Sequence, residues 1–304
     1  MTVSPASRAA AGRATAFAGI GLMLAGVLLF SINDAVGKWL LATYSVGQLL
    51  LLRSAATLLL LSPLIWRAGT AAFTSAPRPG LQLLRIVLST LEVAMFFWAV
   101  SYMPLADAIT FYLAGPIYVT ALSVLILRER VGWRRWTAVL VGFAGVVIAL
   151  RPSAATLTLP ALIALGGSMF YALLMVTTRL VKETDDIVLM SSQFLGTFIF
   201  GALAAPLGWV TPSAYDMIFL SGFGAISIVA LFCINRSLKL APASVVVPFQ
   251  YTLILWGVLF GWRFFGEVPD LFTLAGATII VAAGLYIFWR EQAAARETSF
   301  TPPP

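Results

Sequence analysis

Long apolar runs alternate with short polar breaks along most of the chain. An α-helix needs about 20 apolar residues to cross a bilayer, and at that length the pattern predicts ten segments. They run over residues 15–40, 46–66, 81–102, 105–127, 133–150, 157–180, 187–210, 213–235, 242–265 and 269–289. Because lipid offers no partner to unpaired backbone groups, such segments must be helical. The prediction is an all-α membrane protein with ten transmembrane helices.

Composition agrees with a membrane location. Hydrophobic residues make up 61% of the 304 residues and charged residues 10%, against about 25% charged residues in soluble domains. Polar residues gather at the two ends, so residues 1–14 and 291–304 are predicted to be flexible tails. The first apolar run is too long for a signal peptide, and we expect it to remain as a helix.

Basic residues are distributed unevenly between the predicted spans. With the N-terminus inside, only Lys38, Arg151 and Arg263 fall on the outer side, and Arg53 lies within the second span. This bias fits the positive-inside rule and predicts a multi-pass inner-membrane protein with both termini in the cytoplasm. The net charge of +7 then follows from topology, and no nucleic-acid partner is expected.

The two halves of the chain, residues 15–150 and 157–290, repeat a similar pattern. A shift of 141 residues places Lys38 on Arg179, and a shift of 137 to 138 residues places Glu129 on Glu267. Each half holds five spans, and because five is odd the halves enter the membrane from opposite faces. Inverted repeats are typical of secondary transporters, in which a central site opens alternately to each side.

Two stretches resemble EamA-type units of the drug/metabolite transporter superfamily. They are SYMPLADAITFYLAGPIYVTALSVLILRERVGWRRWTAVLVGFAGVVIALRP and LKLAPASVVVPFQYTLILWGVLFGWRFFGEVPDLFTLAGATIIVAAG. The elements DAVGKWL and LRS are similar to a bacterial branch that includes riboflavin, S-adenosylmethionine and amino-acid or amine carriers. The resemblance implies a basket of ten helices around a central substrate cavity, and it does not choose among these substrates.

Charged side chains interrupt the first two spans. Asp34 and Lys38 are one turn apart and share a helix face, Asn33 is adjacent, and Arg53 lies at a similar depth in the second span. Charged groups at such depths usually turn inward and pair, so we expect Asp34 to bridge Arg53, with Lys38 as a further partner. Two interpretations stay open, because the pair either fixes helix register or forms an outer gate or substrate site.

Glu92 falls near the middle of the third span, at a depth where we expect no other carboxylate. One interpretation is that Glu92 binds a cationic substrate group or carries a coupling proton. The other is that Glu92 has only a packing role.

Aromatic and amide side chains are the remaining candidates for a cavity wall. For any one of them, lipid contact or helix packing is the simpler explanation, but as a group they suit a flat aromatic or cationic metabolite. They are Trp98, Tyr112, Tyr171, Gln193, Gln250 and Tyr251. Pro116 and Pro248 interrupt helical hydrogen bonding inside spans four and nine, and they are candidate hinges or gates.

The residue inventory excludes several chemistries. The chain holds one cysteine and no histidine, so it has no internal disulfide, and any proton transfer must use carboxylates. It lacks a GxxxxGK[ST] phosphate loop and a base for a serine nucleophile, so we expect neither an ATP-driven pump nor an enzyme, and no cofactor or metal.

The sequence therefore favours a secondary transporter of a small organic metabolite that works by alternating access at a central cavity. The substrate is predicted to be an aromatic, amine or vitamin-like compound. Its expected partners are this substrate and the lipid bilayer, and a coupling proton and a second copy of the chain stay open as further partners. The main alternative is a non-transporting membrane receptor or scaffold in which the buried charges are structural.

Overall fold

The computed structural model describes residues 5–129, 131–151 and 158–268, and also residues 271, 272, 274–276, 278, 279, 282, 283, 286 and 289. All regular structure in these residues is helical. The helices are α1 Pro5–Leu41, α2 Val46–Thr74, α3 Pro79–Val100, α4 Leu105–Tyr112, α5 Gly115–Leu125, α6 Trp133–Leu150, α7 Leu159–Leu180, α8 Asp186–Ala204, α9 Ala214–Leu240, α10 Ala243–Val246 and α11 Leu253–Phe265. Two 3-10 segments, Ala205–Gly208 and Val247–Thr252, adjoin them.

Seven described helical segments are long and apolar enough to cross a membrane. They are Thr15–Leu41, Val46–Thr74, Pro79–Val100, Leu105–Leu125, Leu159–Leu180, Asp186–Gly208 and Ala214–Leu240, and each matches a predicted span. α6 has a shorter apolar stretch, Trp136–Gly145, and the predicted ninth span is broken between α10 and α11. Of the predicted tenth span, 269–289, the structure describes 11 residues, and each of them is helical.

The helix breaks coincide with two prolines. The predicted fourth span divides between α4 and α5, and Pro116 lies in the first turn of α5, where its missing N–H leaves no helical hydrogen bond unmade. Pro248 lies in the 3-10 segment Val247–Thr252, between α10 and α11. Both predicted interruptions therefore fall where continuous α-helix ends.

The first helix starts earlier than predicted. α1 begins at Pro5, although we expected residues 1–14 to form a flexible tail. Residues 5–14 are rich in alanine, the strongest helix former, and proline suits the first helical position. Residues 1–4 and the predicted tail at 291–304 lie outside the described residues.

The helices of the two halves pack in pairs. α1 packs against α9, α3 against α7, and α2 against α8, while α7 also meets α4 and α5 and α1 meets α11. This set of contacts is the one that a two-fold relation between the halves would produce. Gly47 and Gly201 allow α2 and α8 to approach closely, because a Cβ at Gly201 would lie 2.5 Å from the Leu51 nitrogen.

Polarity is distributed as expected for a protein in lipid. Large apolar side chains such as Leu59, Trp66 and Leu207 are exposed on the outside, while polar side chains such as Gln48 and Arg85 are buried inside. In water this arrangement would leave apolar surface unprotected, whereas in a bilayer it removes polar groups from hydrocarbon. The chain is accordingly a multi-pass membrane protein.

Two opposite ends of the bundle can be defined by loop contacts. At one end the Tyr44 hydroxyl donates to Asp216 Oδ2 at 2.6 Å, and this hydrogen bond raises the pKa of Tyr44 above its ordinary value. At the other end Arg78 Nη1 donates to the Leu180 carbonyl at 3.1 Å. We call these the Tyr44 end and the Arg78 end, and α2 runs from the first to the second.

Candidate functional site

A cavity of about 110 Å³ lies between the two halves of the chain. Its wall is formed by α1, α2, α3, α4 and α5 from the first half, and by α7, α8, α9, the second 3-10 segment and α11 from the second half. Most of the predicted site residues line it, namely Asn33, Asp34, Arg53, Glu92, Tyr112, Pro116, Tyr171, Gln193 and Gln250.

Asp34, Arg53 and Glu92 are the charged side chains of the described cavity wall. Two carboxylates therefore face the cavity, Glu92 from α3 and Asp34 from α1. The predicted bridge is absent: within the described residues no ion pair shorter than 4.0 Å joins Asp34 to Arg53. Both groups line the cavity without a direct salt bridge between them.

Aromatic rings surround the guanidinium of Arg53 instead. Its Cζ atom lies 5.2 Å from the ring centroid of Phe223, 5.7 Å from that of Phe97 and 5.9 Å from that of Phe194. Ring faces carry partial negative charge and attract a cation at such distances. Arg53 is 5% exposed, so these rings stabilise its charge away from solvent.

Lys38 does not reach the cavity. Its Nζ atom lies 2.5 Å from Glu267 Oε1 and 4.9 Å from the ring centroid of Phe265, at the Tyr44 end. The predicted pairing of Lys38 with Asp34 is therefore wrong. Lys38 lies in the last turn of α1, and its long stem extends the charge toward the helix end, where water is closer.

Trp98 also lies off the cavity, against prediction. Its ring packs on Tyr102, with centroids 4.7 Å apart. The cavity face of α3 carries Glu92, Phe96 and Phe97. Trp98 is six positions after Glu92, and at 3.6 residues per turn this places it about 240° around the helix axis from Glu92. The helical period turns Trp98 toward another face of α3.

Tyr251 has a packing role rather than a place in the cavity wall. It is buried, and its hydroxyl donates to the Val139 carbonyl of α6 at 3.2 Å. Its ring fills the space above Gly142, where a Cβ would lie 2.8 Å from the ring. Pro248 is buried beside it and does not belong to the cavity lining.

Neutral polar groups complete the cavity wall. Asn33 Nδ2 donates to Ser227 Oγ at 3.1 Å, which joins α1 to α9. The Tyr112 hydroxyl donates to the backbone carbonyl of Glu92 at 3.0 Å, which fixes α4 against α3 beside the carboxylate.

Gln250 presents an acceptor to this region. Its Nε2 atom donates to the Tyr171 hydroxyl at 2.5 Å, while its Oε1 atom is buried and has no hydrogen-bond partner in the described chain. A ligand donor in the cavity could therefore bind Gln250 Oε1.

Arg85 is a structural residue that the sequence analysis missed. Its side chain is 1% exposed and donates to Thr178 Oγ1 at 2.9 Å, to the Leu189 carbonyl at 2.8 Å, to Gln193 Oε1 at 3.0 Å and to Asn235 Oδ1 at 3.4 Å. Arg85 thereby ties α3 to α7, α8 and α9. Arg85 lies near the start of the predicted span 81–102, where a basic residue is expected at the lipid headgroups. Its four acceptors lie 93 to 150 residues away along the chain, and no sequence motif connects them.

An ion pair joins the two halves at each end of the bundle. At the Tyr44 end the pair is Lys38 with Glu267, and at the Arg78 end Arg179 Nε lies 3.9 Å from Glu129 Oε1. The sequence shifts that align the halves place Lys38 on Arg179 and Glu129 on Glu267. The two pairs therefore join residues that the sequence shifts align with each other.

The same backbone motif positions both glutamates. Glu129 N–H donates to the Ser123 carbonyl at 3.1 Å, and Glu267 N–H donates to the Gly261 carbonyl at 3.0 Å. The residues before them, Arg128 and Gly266, have left-handed φ angles of 54° and 68°. In both places a left-handed residue is followed by a backbone hydrogen bond that reaches back six residues into the preceding helix, so each glutamate is fixed just after its helix ends.

The sequence matches the model of the EamA-like transporter family twice, over residues 17–151 and over residues 158–289. This match confirms the resemblance drawn from the two quoted stretches. Since the same family model covers each half, the similarity includes all helices that line the cavity.

Several curated proteins are similar to this chain over most of their length. The S-adenosylmethionine uptake transporter of Rickettsia bellii is 27% identical over 278 residues, covering 91% of this chain and 95% of that protein. The riboflavin transporter of Vibrio cholerae is 29% identical, with 90% and 94% covered. The pseudopaline exporter CntI of Pseudomonas aeruginosa is 29% identical, with 87% and 96% covered.

One solved crystal structure resembles the fold with a TM-score of 0.67. It covers 94% of this chain and 99% of its own, at 18% sequence identity. The likeness concerns the fold alone.

Proposed function

Because this chain belongs to the EamA-like transporter family, we propose that it is a secondary transporter that moves a small organic metabolite across the inner membrane. The cavity between the two halves carries this proposal, since it holds the side chains of Asp34, Arg53 and Glu92. Ionisable side chains at membrane depth are costly, and they most often mark a substrate or ion pathway. A scaffold would need no such cavity.

The substrate we propose is an aromatic, amine or vitamin-like compound. Phe96, Phe97, Tyr112, Tyr171 and Phe194 line the cavity, and aromatic faces attract both flat rings and cations. The names of the relatives, which include a riboflavin transporter and an S-adenosylmethionine uptake transporter, support a small metabolite as the cargo.

Glu92 is the residue we propose for binding a cationic group or for carrying a coupling proton. It lines the cavity beside Tyr112, which is bonded to its backbone. A carboxylate is suited to both roles, because it pairs with a cation when ionised and releases that cation when protonated.

Alternating access is the mechanism we propose, with the chain arranged as two inverted repeats of five helices. The ion pairs Lys38–Glu267 and Glu129–Arg179 support it, because each joins the two halves and they lie at opposite ends. Separation of one pair while the other holds would open the cavity to one side at a time.

We propose that the Arg78 end faces the cytoplasm, together with both termini. Arg78, Arg179, Arg236 and Lys239 lie at this end, and basic residues are enriched on the cytoplasmic side of inner-membrane proteins.

The function is tested with purified protein in sealed proteoliposomes. A panel of aromatic, amine and vitamin compounds is offered outside, and uptake is compared with protein-free vesicles. Saturable uptake of at least one compound is expected. Loss of this uptake in Glu92→Gln would link transport to the cavity, provided that uptake persists in the control Glu183→Gln, at an exposed position. Absence of saturable uptake for every compound would favour the receptor or scaffold.

A further inference from the structure

Arg53 is a buried cation whose donors are not satisfied by the described chain. Its side chain is 5% exposed, and its Nε–H has no hydrogen-bond partner. Within the described residues no carboxylate oxygen lies within 4.0 Å of its guanidinium nitrogens. The phenylalanine rings around it attract the charge, but they accept no conventional hydrogen bond.

The unsatisfied guanidinium lines the central cavity. A guanidinium presents a planar fork of N–H groups that matches the two oxygens of a carboxylate, and such paired contacts are among the strongest hydrogen bonds in proteins. A ligand carboxylate that enters the cavity would therefore supply the hydrogen-bond acceptors that the described residues do not offer to Arg53.

Two amide side chains add a donor and an acceptor to the cavity wall. Gln193 accepts from Arg85 through Oε1, so its amide N–H groups remain available, and it adjoins Phe194, whose ring lies against Arg53. Gln250 instead donates to Tyr171 and leaves Oε1 without a partner. Donors thus come from α2 and α8, and acceptors come from α1, α3 and the second 3-10 segment.

We propose that the transported metabolite is a zwitterion, with a carboxylate held by Arg53 and a cationic amine held by Asp34 and Glu92. This inference rests on the proposed transport function and specifies its substrate class. A simple cation would leave the Arg53 N–H groups without an acceptor in a buried site, and a neutral ring would form no charge-assisted hydrogen bond with any of the three charged groups. A doubly charged phosphate would add excess negative charge beside two carboxylates and one guanidinium.

The first test lets the protein choose its substrate. Proteoliposomes are incubated with a metabolite extract of bacterial cells, and compounds that accumulate above protein-free vesicles are identified by mass spectrometry. We expect compounds that carry both a carboxylate and an amine. Equal accumulation of compounds without a carboxylate would overturn the zwitterion while leaving transport intact, whereas no accumulation at all would remove both proposals.

Chemical treatment of the same extract identifies the group that Arg53 recognises. Methyl esterification neutralises carboxylates, and we expect it to abolish accumulation by the wild-type protein. Phosphatase treatment is expected to change nothing. The reverse pair of results would replace the carboxylate with a phosphate and overturn the proposal.

Variants of Arg53 assign the contact to that residue. Arg53→Gln is expected to raise the KM for the accumulated zwitterion at least about tenfold, as for loss of a charge-assisted pair, and Arg53→Lys is expected to recover part of it. Arg67→Gln, an exposed position on the same helix, is the control. An unchanged KM in folded Arg53→Gln would overturn the contact, and if that variant fails to fold, the esterification result decides.

Discussion

Lys38 and Glu267 form an ion pair, with Nζ and Oε1 2.5 Å apart, although 229 residues separate them in the chain. The pair joins the last turn of α1 to Glu267, the second residue after α11. Its counterpart at the other end joins Arg179 to Glu129 at 3.9 Å. Each end of the bundle therefore has an ion pair between the two halves.

Charge reversal tests the Lys38–Glu267 pair. Lys38→Glu and Glu267→Lys should each slow transport, because each places like charges together at the Tyr44 end. The double reversal should regain part of the rate, with a coupling energy of about 1 kcal/mol, roughly a fivefold change. Initial uptake rates in proteoliposomes are compared for the wild type, the two single variants and the double variant. Additive effects in the double variant would show that the two side chains act independently.

Loss of Glu267 and loss of Glu129 should open the cavity toward opposite ends of the bundle. A single cysteine is placed in the wall by Leu231→Cys in a Cys233→Ala background, and a membrane-impermeant maleimide is applied from either side. Glu267→Gln should speed labelling from the Tyr44 end, and Glu129→Gln should speed it from the Arg78 end. The same labelling pattern in both variants would contradict separate gates.

Glu92→Gln should lower the transport rate at least about tenfold, which corresponds to about 1.4 kcal/mol of lost stabilisation. The amide keeps the size of the side chain but can neither ionise nor release a proton at this position. Expression and thermal stability should stay near those of the wild type, since no hydrogen bond to the Glu92 side chain holds the described helices together. Wild-type transport rates in Glu92→Gln would rule out its proposed role.

Arg85→Leu should destabilise the bundle by about 3 kcal/mol or more. The substitution removes a buried cation that donates to four acceptors on three other helices, and each buried acceptor left unpaired costs about 1–3 kcal/mol. The melting temperature in detergent measures the effect. Arg67→Leu, at an exposed position on α2, should melt close to the wild type, and equal melting of both variants would exclude the bonding role of Arg85.

Gly266→Ala should cost about 1 kcal/mol, because its φ of 68° is left-handed and disfavours any Cβ. No neighbouring atom lies within 4 Å of the added Cβ, so the cost comes from the backbone alone. The change should weaken the Lys38–Glu267 pair, and faster labelling from the Tyr44 end would report it. The matching change at the other helix end, Arg128→Gly, should raise the melting temperature.

Much of the fold could be predicted because lipid imposes a simple rule. A run of about 20 apolar residues must become a helix, so the length of each run located seven spans without tertiary information. The shorter helix α6 and the broken α10–α11 region were harder to predict from the sequence. Their structure depends on how neighbouring helices pack around them. Pro116 and Pro248 marked the breaks, since proline cannot continue a helical hydrogen-bond ladder.

The cavity wall was partly predictable for a related reason. Asp34, Arg53 and Glu92 are costly in hydrocarbon, so facing inward was their only inexpensive orientation. The predicted pairing of Lys38 with Asp34 was wrong because the flexible Lys38 side chain pairs with Glu267. That partner lies 229 residues away in the sequence, so the sequence alone does not show the contact. The predicted cavity positions of Trp98 and Tyr251 were wrong because an aromatic side chain packs as well against a neighbouring helix as against a cavity. Only the three-dimensional packing of the helices decides between the two.

All three charged side chains in the described cavity wall, Asp34, Arg53 and Glu92, belong to the first half of the chain, while the second half contributes amides, hydroxyls and rings. If one half tilts against the other as proposed, these three charges move together with the first half. An electric field across the membrane would act on that movement itself, since displacing a unit charge through 100 mV is worth about 2.3 kcal/mol. Turnover would then respond to an imposed diffusion potential even when the cargo carries no net charge.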